Sequence, residues 1–339
     1  MHTLSPDDWQ AQLQQHEKQA TDRLERFRHP GSYHPVFDFL FEYYPVRPSH
    51  LKRWHPGVGI ALEGTPPHAE WRDYHATPDS VTVDVAGFLQ RRGSSVRYIS
   101  NLLRHSASNP AHFDCFGLHE WAMVYHTDTP RHSLPLRLGA EGTNRVVDEH
   151  SIKCSHYDAF RFFTPPARPL NLTVLHREDQ PANDQAGCVH VTMDLYKWAW
   201  KLGPLVPGKL FLDCLDLAIE ARILDMEASP YDCRDWGLGV VPIETPEGKA
   251  EYVSRQRSLA QKAEPLRAWL VAVIDQALAP LQYATNNGSL LGRNTPHGTA
   301  FKWEKYLRSS GMGYCSGCHR ASGHHRLGDL PRARYGQRR

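Results

Sequence analysis

Two neighbouring windows, VTMDLYKWAWKLGPL (residues 191–205) and GKLFLDCLDLAIEARILDMEAS (residues 208–229), limit most tightly what this chain can fold into. Both are too long and too free of breakers to be strands, and the second carries apolar residues at Leu210, Leu212, Leu215, Leu217, Ile219 and Leu224. Each is therefore expected to be a helix, and residues 200–222, like 250–279, read as core helix with a solvated charged face. Other windows read the same way. Ser5, with Pro6 behind it and Asp8 three residues on, caps a helix over residues 7–27 whose apolar stripe is Trp9, Leu13, Leu24 and Phe27. Residues 35–44 (PVFDFLFEYY) read as one buried helix, and residues 87–105 as a helix interrupted at Gly93. Thr245 and Pro246 open a last helix over residues 247–279, with a kink expected at Pro265. Residues 110–187, rich in proline, glycine and histidine, resist assignment. The fold class expected is mainly α: a single helical domain over residues 1–280, with short irregular or strand segments in its middle.

With 339 residues, 40% of them hydrophobic, the chain can bury a sizeable core. No apolar run reaches about 20 residues, so no membrane span is expected. The opening MHTLSPDDWQ lacks the basic start and apolar run of a signal peptide, which points to the cytoplasm and reduced thiols. Cys115, Cys154, Cys188, Cys214 and Cys233 then read as small buried hydrophobes. Charge is divided unevenly: residues 283–339 hold 10 Lys and Arg against 2 Asp and Glu, leaving 29 against 35 in the rest. A net acidic body argues against wide contact with DNA phosphates, although a local basic patch is compatible with it. Residues 281–339 are expected to be a disordered basic tail. Its Cys315-Ser-Gly-Cys318-His319 matches the c-type haem attachment pattern, but that use requires export.

RWHPGVGIALEG (residues 53–64) contains Pro-Gly-Val-Gly, the turn of many DNA-gripping helical hairpins, and Val83-Asp84 follows at about the distance of a glycosylase aspartate. Such a turn holds a phosphate on backbone N–H groups and needs a helix on each side. Gly64 and Pro66-Pro67 leave no room for the second. The segment is better read as a structured turn between helices in which Trp54 packs. VTVDV (residues 81–85) reads as a short strand with one outward acid, Asp84.

Four segments embed reactive polar residues among aromatic and apolar ones: CFGLHEWAMVYH (115–126), KCSHYDAFRFFTPPARPLN (153–171), GCVHVTMDLYKWAW (187–200) and ILDMEASPYD (223–232). Buried polar groups need partners, so such segments usually converge on a pocket or a hydrogen-bond network. These blocks, with RPSHLKRWHPG, MDLYKWAWKLGPLVP and IETPEGKAEYV, resemble a largely actinobacterial family that carries the name 3-methyladenine DNA glycosylase. The likeness covers roughly residues 35–280.

The resemblance implies base excision, with DNA as partner and no cofactor. A flipped alkylated purine would stack on aromatic side chains while a carboxylate stabilises the oxocarbenium-like state. Candidate acids are Glu120, beside His119 and Trp121, and Asp158, near His156, Tyr157 and Phe160. Arg161, Arg168 and Lys197 are candidates for phosphate, although Lys197 reads more readily as a solvated lysine.

The alternative from the residues themselves is a non-haem iron or zinc enzyme acting on a small molecule. His119-Glu120, His156 with Asp158, and His190 with Asp194 supply imidazole and carboxylate, and His190 and Asp194 are four apart on one helix face. No established ligand signature is matched, since Met123 stands where a zincin has its second histidine. Asp225 and Asp232 read as turn and cap residues. A binding protein with an aromatic pocket is the third class.

Overall fold

The computed structural model describes residues 1–287 except 29, 30, 32 and 131, with backbone alone over 280–287. The chain divides into one unit over Met1–Ala279 and another over Pro280–Arg339. The tail motif at Cys315, Cys318 and His319 lies outside the described residues.

The fold is mainly α, with eleven α-helices and a four-stranded sheet among the described residues. Its frame is α1 (Pro6–Phe27), followed by the short α2 (Phe39–Glu42) and α3 (Pro48–Lys52), and then the long α4 (Val85–Ser108). The site-bearing middle contains α5 (Leu118–Ala122), α6 (Gly139–Asp148), α7 (Tyr157–Phe160) and α8 (Gln180–Asn183). The centre is formed by α9 (Val189–Leu202) and α10 (Gly208–Glu227), and α11 (Pro246–Asn287) closes the series. No helix is long and apolar enough among the described residues to cross a membrane.

Capping chemistry sets several of these boundaries. The Ser5 hydroxyl accepts from the Asp8 backbone N–H and Pro6 occupies the first turn of α1. Thr245 accepts from the Gly248 N–H at the head of α11, which continues through Pro265 as one element. Asp84 is not an outward strand acid: it caps α4, accepting from the Gly87 N–H at 2.9 Å. Helix α4 also passes Gly93 uninterrupted, with that residue buried. Residues 35–44, in contrast, form turns leading into the one-turn α2 rather than a single helix, leaving Phe37, Leu40, Phe41 and Tyr44 in the core.

The strands are β1 (His2–Leu4), β2 (Ile60–Glu63), β3 (Tyr74–Ala76) and β4 (Ser80–Val83), in the order β1-β2-β4-β3. β1 runs parallel to β2 with Thr3 opposite Ala61, and the remaining pairs are antiparallel. They lie in the first quarter of the chain, not its middle. The Pro-Gly-Val-Gly segment therefore joins a helix to a strand. Its Gly57 and Gly59 have φ of 93° and 83°, and the Val58 N–H donates to the Leu205 carbonyl. Trp54 packs there with Leu4, Trp9 and Leu62.

At the centre α9 packs along α10 more extensively than any other pair of elements. Helix α10 is buried nearly all round, which its sequence allows because apolar residues occupy most of its circumference. The polar exceptions on α10, Arg222 and Asp225, are 1% and 0% exposed. The expected charged face reaches solvent through Lys209, Asp213, Asp216 and Glu220, whereas the buried Arg222 and Asp225 lie off it and locate the site.

Candidate functional site: a buried histidine and carboxylate centre

Helix α5 is a single turn whose five residues are all buried. Gly117 turns the chain into it at φ 70°, and a Cβ there would lie 3.3 Å from the Tyr252 ring and 3.4 Å from Ala228 Cβ, so the turn admits only glycine comfortably. The Trp121 indole donates to the Ala228 carbonyl at 2.8 Å, fixing α5 against the end of α10. This directs His119 and Glu120 at α10 and α9.

There they meet Asp225 of α10 and His190 of α9. The four side chains each offer a ligand atom within 4.8 Å of the others. His119 Nε2 donates to Asp225 Oδ1 at 2.8 Å. Arg222 Nη1 donates to Asp225 Oδ2 at 2.8 Å and lies 3.9 Å from Glu120 Oε1, with its guanidinium 4.1 Å above the Phe39 ring. His190 stands in edge contact with His119, ring centroids 4.4 Å apart, and its buried Nδ1 has no hydrogen-bond partner among the described residues. Burial, and then the adjacent His119, drive His190 well below the ordinary imidazole value, so its ring is neutral at physiological pH.

A second group lies alongside. His156, at the head of α7, donates from Nδ1 to Asp184 at 3.0 Å, and Asp184 also accepts from Gln180. Its Nε2 is 3.8 Å from Asp194. Although burial alone would lower it, Asp184 and then Asp194 hold His156 above the ordinary imidazole value. Asp194 also accepts from Tyr44 at 3.0 Å and from Lys197 at 2.9 Å. Lys197 reaches on to Asp158 at 3.1 Å, and Asp158 takes Arg177 at 2.7 Å and stands 3.3 Å from Arg161. Burial would raise Asp158, but Lys197 foremost holds it down at about 2. Lys197 is thus a half-buried counter-ion between two carboxylates rather than a freely solvated lysine.

The two groups differ in what they can bind. His156, Asp158 and Asp194 have ligand atoms close enough for a cation, but the Lys197 ammonium already bridges both carboxylates. In the group around His190, Glu120 and Asp225 lie beside the Arg222 guanidinium, and one imidazole nitrogen has no partner among the described residues. A buried imidazole nitrogen without a partner is costly unless another group completes it.

Of the residues expected from sequence, His119, Glu120 and His190 come together, while His156, Asp158, Asp194 and Lys197 form the adjoining group. Trp121 and Phe160 are core side chains. Tyr157 lies under the Arg177 guanidinium, and Arg161 stacks on Phe162. Arg168 reaches back to the Arg161 carbonyl and joins neither group. Asp225 and Arg222 are the residues the sequence reading passed over: Asp225 belongs to the centre and is not a turn residue. Asp232 keeps its turn role, accepting from the Arg234 N–H. Signals that point to the missed pair are their i, i+3 spacing and their place off the charged face formed by Lys209, Asp213, Asp216 and Glu220.

Beyond the second group a pocket of about 880 Å³ opens to solvent, with Asp158, Lys197, Tyr43 and Tyr44 in its wall. No family model, curated protein or solved structure matches this chain.

Proposed function

We propose that this protein is a metal-dependent enzyme acting on a small molecule, with one divalent transition ion held by His119, Glu120, His190 and Asp225. The observation that carries this reading is the unpartnered Nδ1 of a neutral, buried His190 among two carboxylates and a second imidazole. The set has two nitrogen and two oxygen donors, a mixture that suits non-haem iron and zinc. Donors to such an ion stand about 2.0 to 2.2 Å from it, so ligand atoms that already lie within 4.8 Å of one another have to draw inward to share it.

Bound there, the ion would supply Lewis acidity toward a coordinated oxygen. The chain's own residues have separate tasks. Arg222 holds the outer oxygen of Asp225 and offsets part of the carboxylate charge. Trp121 and Gly117 fix the turn that aims His119 and Glu120. Phe39, Trp121 and Tyr252 exclude bulk water, which strengthens each electrostatic contact inside.

The experiment is elemental analysis of the full chain, purified without chelator or histidine tag, beside His190→Ala, Asp225→Asn and Asp158→Asn. Near-stoichiometric iron or zinc in the wild type and in Asp158→Asn, lost in the other two, is the expected result. A metal-free wild type, or metal that survives His190→Ala, overturns the assignment.

Base excision on DNA, the activity implied by the resemblance, draws support from the aromatic and cationic wall of the 880 Å³ pocket, which includes one acid, Asp158. Both Asp158 oxygens are engaged by Lys197 and Arg177, which weakens its claim as the catalytic carboxylate. Release of alkylated purine from methylated DNA, abolished in Asp158→Asn, is the measurement that would restore this reading.

A further inference from the structure

The large pocket is built unlike the buried centre it adjoins. Five cations, Arg92, Arg161, Arg177, Lys197 and Lys201, line it against two acids, Asp158 and Glu178. Three of the five are already engaged, because Arg161, Arg177 and Lys197 converge on Asp158. Arg92 and Lys201 form no ion pair among the described residues. Burial, and next the charge of Lys197, lower the Lys201 ammonium below its ordinary value, with Asp194 and Asp158 acting against them.

These two cations stand where two cavities meet. Arg92, Trp200 and Lys201 line both the large pocket and a neighbour of about 290 Å³. Much of the remaining wall is aromatic, with Tyr43, Tyr44, Tyr98, Trp198 and Trp200 beside Pro45, Ser94, Ser95 and Ile99. At about 880 Å³ the space lies within the range that takes small molecules, and its combination of ring surface with a few convergent charges is that of a specific ligand site. Asp194 links it inward: this residue accepts from Tyr44 and Lys197, both in the pocket wall, and faces His156, which stacks on His190.

We infer that this pocket binds a small molecule carrying an aromatic ring and an anionic group, phosphate or carboxylate, with the anion drawn to Arg92 and Lys201 and the ring held by the aromatic wall. Its role as the substrate entrance rests on the metal-centre reading, whereas the binding itself does not. Arg92 and Lys201 would be positioning residues for the anion and take no part in the chemistry. Because Arg92 is on α4 and Lys201 on α9, the ligand would bridge two helices that pack together.

The test is calorimetric titration of the full chain, both chelator-treated and iron-loaded, with phenyl phosphate, benzoate and inorganic phosphate, repeated on Arg92→Gln/Lys201→Gln. Saturable one-to-one binding of phenyl phosphate or benzoate is expected, at least tenfold tighter than inorganic phosphate, and the tighter of the two aromatic probes identifies the anionic group. The double variant should weaken it about tenfold or more, the loss of about one charge-assisted contact, with an unchanged melting temperature. Absence of saturation up to about 10 mM, or equal binding by the variant, overturns the inference. So does a single-stranded DNA 12-mer that binds more than tenfold tighter than either aromatic probe, which would make the pocket part of a nucleic-acid surface. Chelated protein that binds phenyl phosphate while the wild type never takes up metal removes the metal centre and leaves the pocket. Metal-loaded protein that ignores every aromatic anion does the reverse.

Discussion

His156 and His190 lie ring over ring, centroids 5.4 Å apart and planes within 7° of parallel, yet they belong to different charge systems. His156 is tied to Asp184, whereas His190 faces Asp225 and His119 with a nitrogen unpartnered. Contact between a positively biased ring and a neutral one is favourable, and it joins the two groups without a shared carboxylate. Which group takes a cation is therefore decided by the partners on either side of the stack.

If the His190 group binds metal, the folded state alone presents it, and binding must raise the melting temperature. At a free ion concentration 100 times the dissociation constant the gain is about 2.7 kcal/mol. Differential scanning calorimetry with and without iron or zinc should show a rise of several degrees in the wild type and none in His190→Ala.

Asp158 supplies a pH signature. Its carboxyl is held at about 2 in the folded protein, below its value in the unfolded chain. A depressed carboxyl contributes stability that is present above about pH 4 and is lost as pH falls from there through about 2. Urea denaturation of Asp158→Asn should accordingly lose part of the acid-side slope seen in the wild type.

Removal of Asp158 or Lys197 alone leaves buried charge without its partner. Asp158→Asn and Lys197→Met should each destabilise the fold by about 2 to 4 kcal/mol. The double variant should cost less than the two added together, because each substitution removes the charge that the other strands. A double-mutant cycle from urea midpoints measures that coupling, and strict additivity would show that Lys197 is not the counter-ion of Asp158.

Gly117→Ala places a methyl group against Tyr252 in a backbone region alanine avoids. About 1 to 2 kcal/mol of stability should be lost. Metal uptake should fall as well, since α5 carries His119 and Glu120. Asp84→Ala removes only a helix cap, at about 1 kcal/mol, and should leave metal uptake unchanged. Comparison of the two by thermal melt and metal content separates damage to the site from damage to the fold.

The helices legible in the sequence are those written in local chemistry: the Ser5 and Thr245 caps, the breaker-free windows of α9 and α10, and the i, i+4 pair His190 and Asp194. Of the sheet only β4 was legible, in the VTVDV run, because the strands have three or four residues and β1 pairs with a segment nearly 60 positions away. His119, Glu120 and His190 stood out as reactive residues in apolar surroundings. Asp225 did not, since an acid near the end of a helix is ordinarily a capping or solvated group, and only the packing of α5 and α9 against α10 makes it part of a centre. Lys197 was ambiguous for the same reason: its partner Asp158 comes from a separate, one-turn helix.

Helix α9 carries His190, Asp194 and Lys197 on successive turns of one face. A rigid rod bearing all three cannot shift at one position without shifting at the others. Pressure on Lys197 from a molecule lodged in the outer pocket would be transmitted along the axis to the imidazole at the other end. Occupancy outside and geometry inside would then vary together, with the helix serving as a push-rod between them.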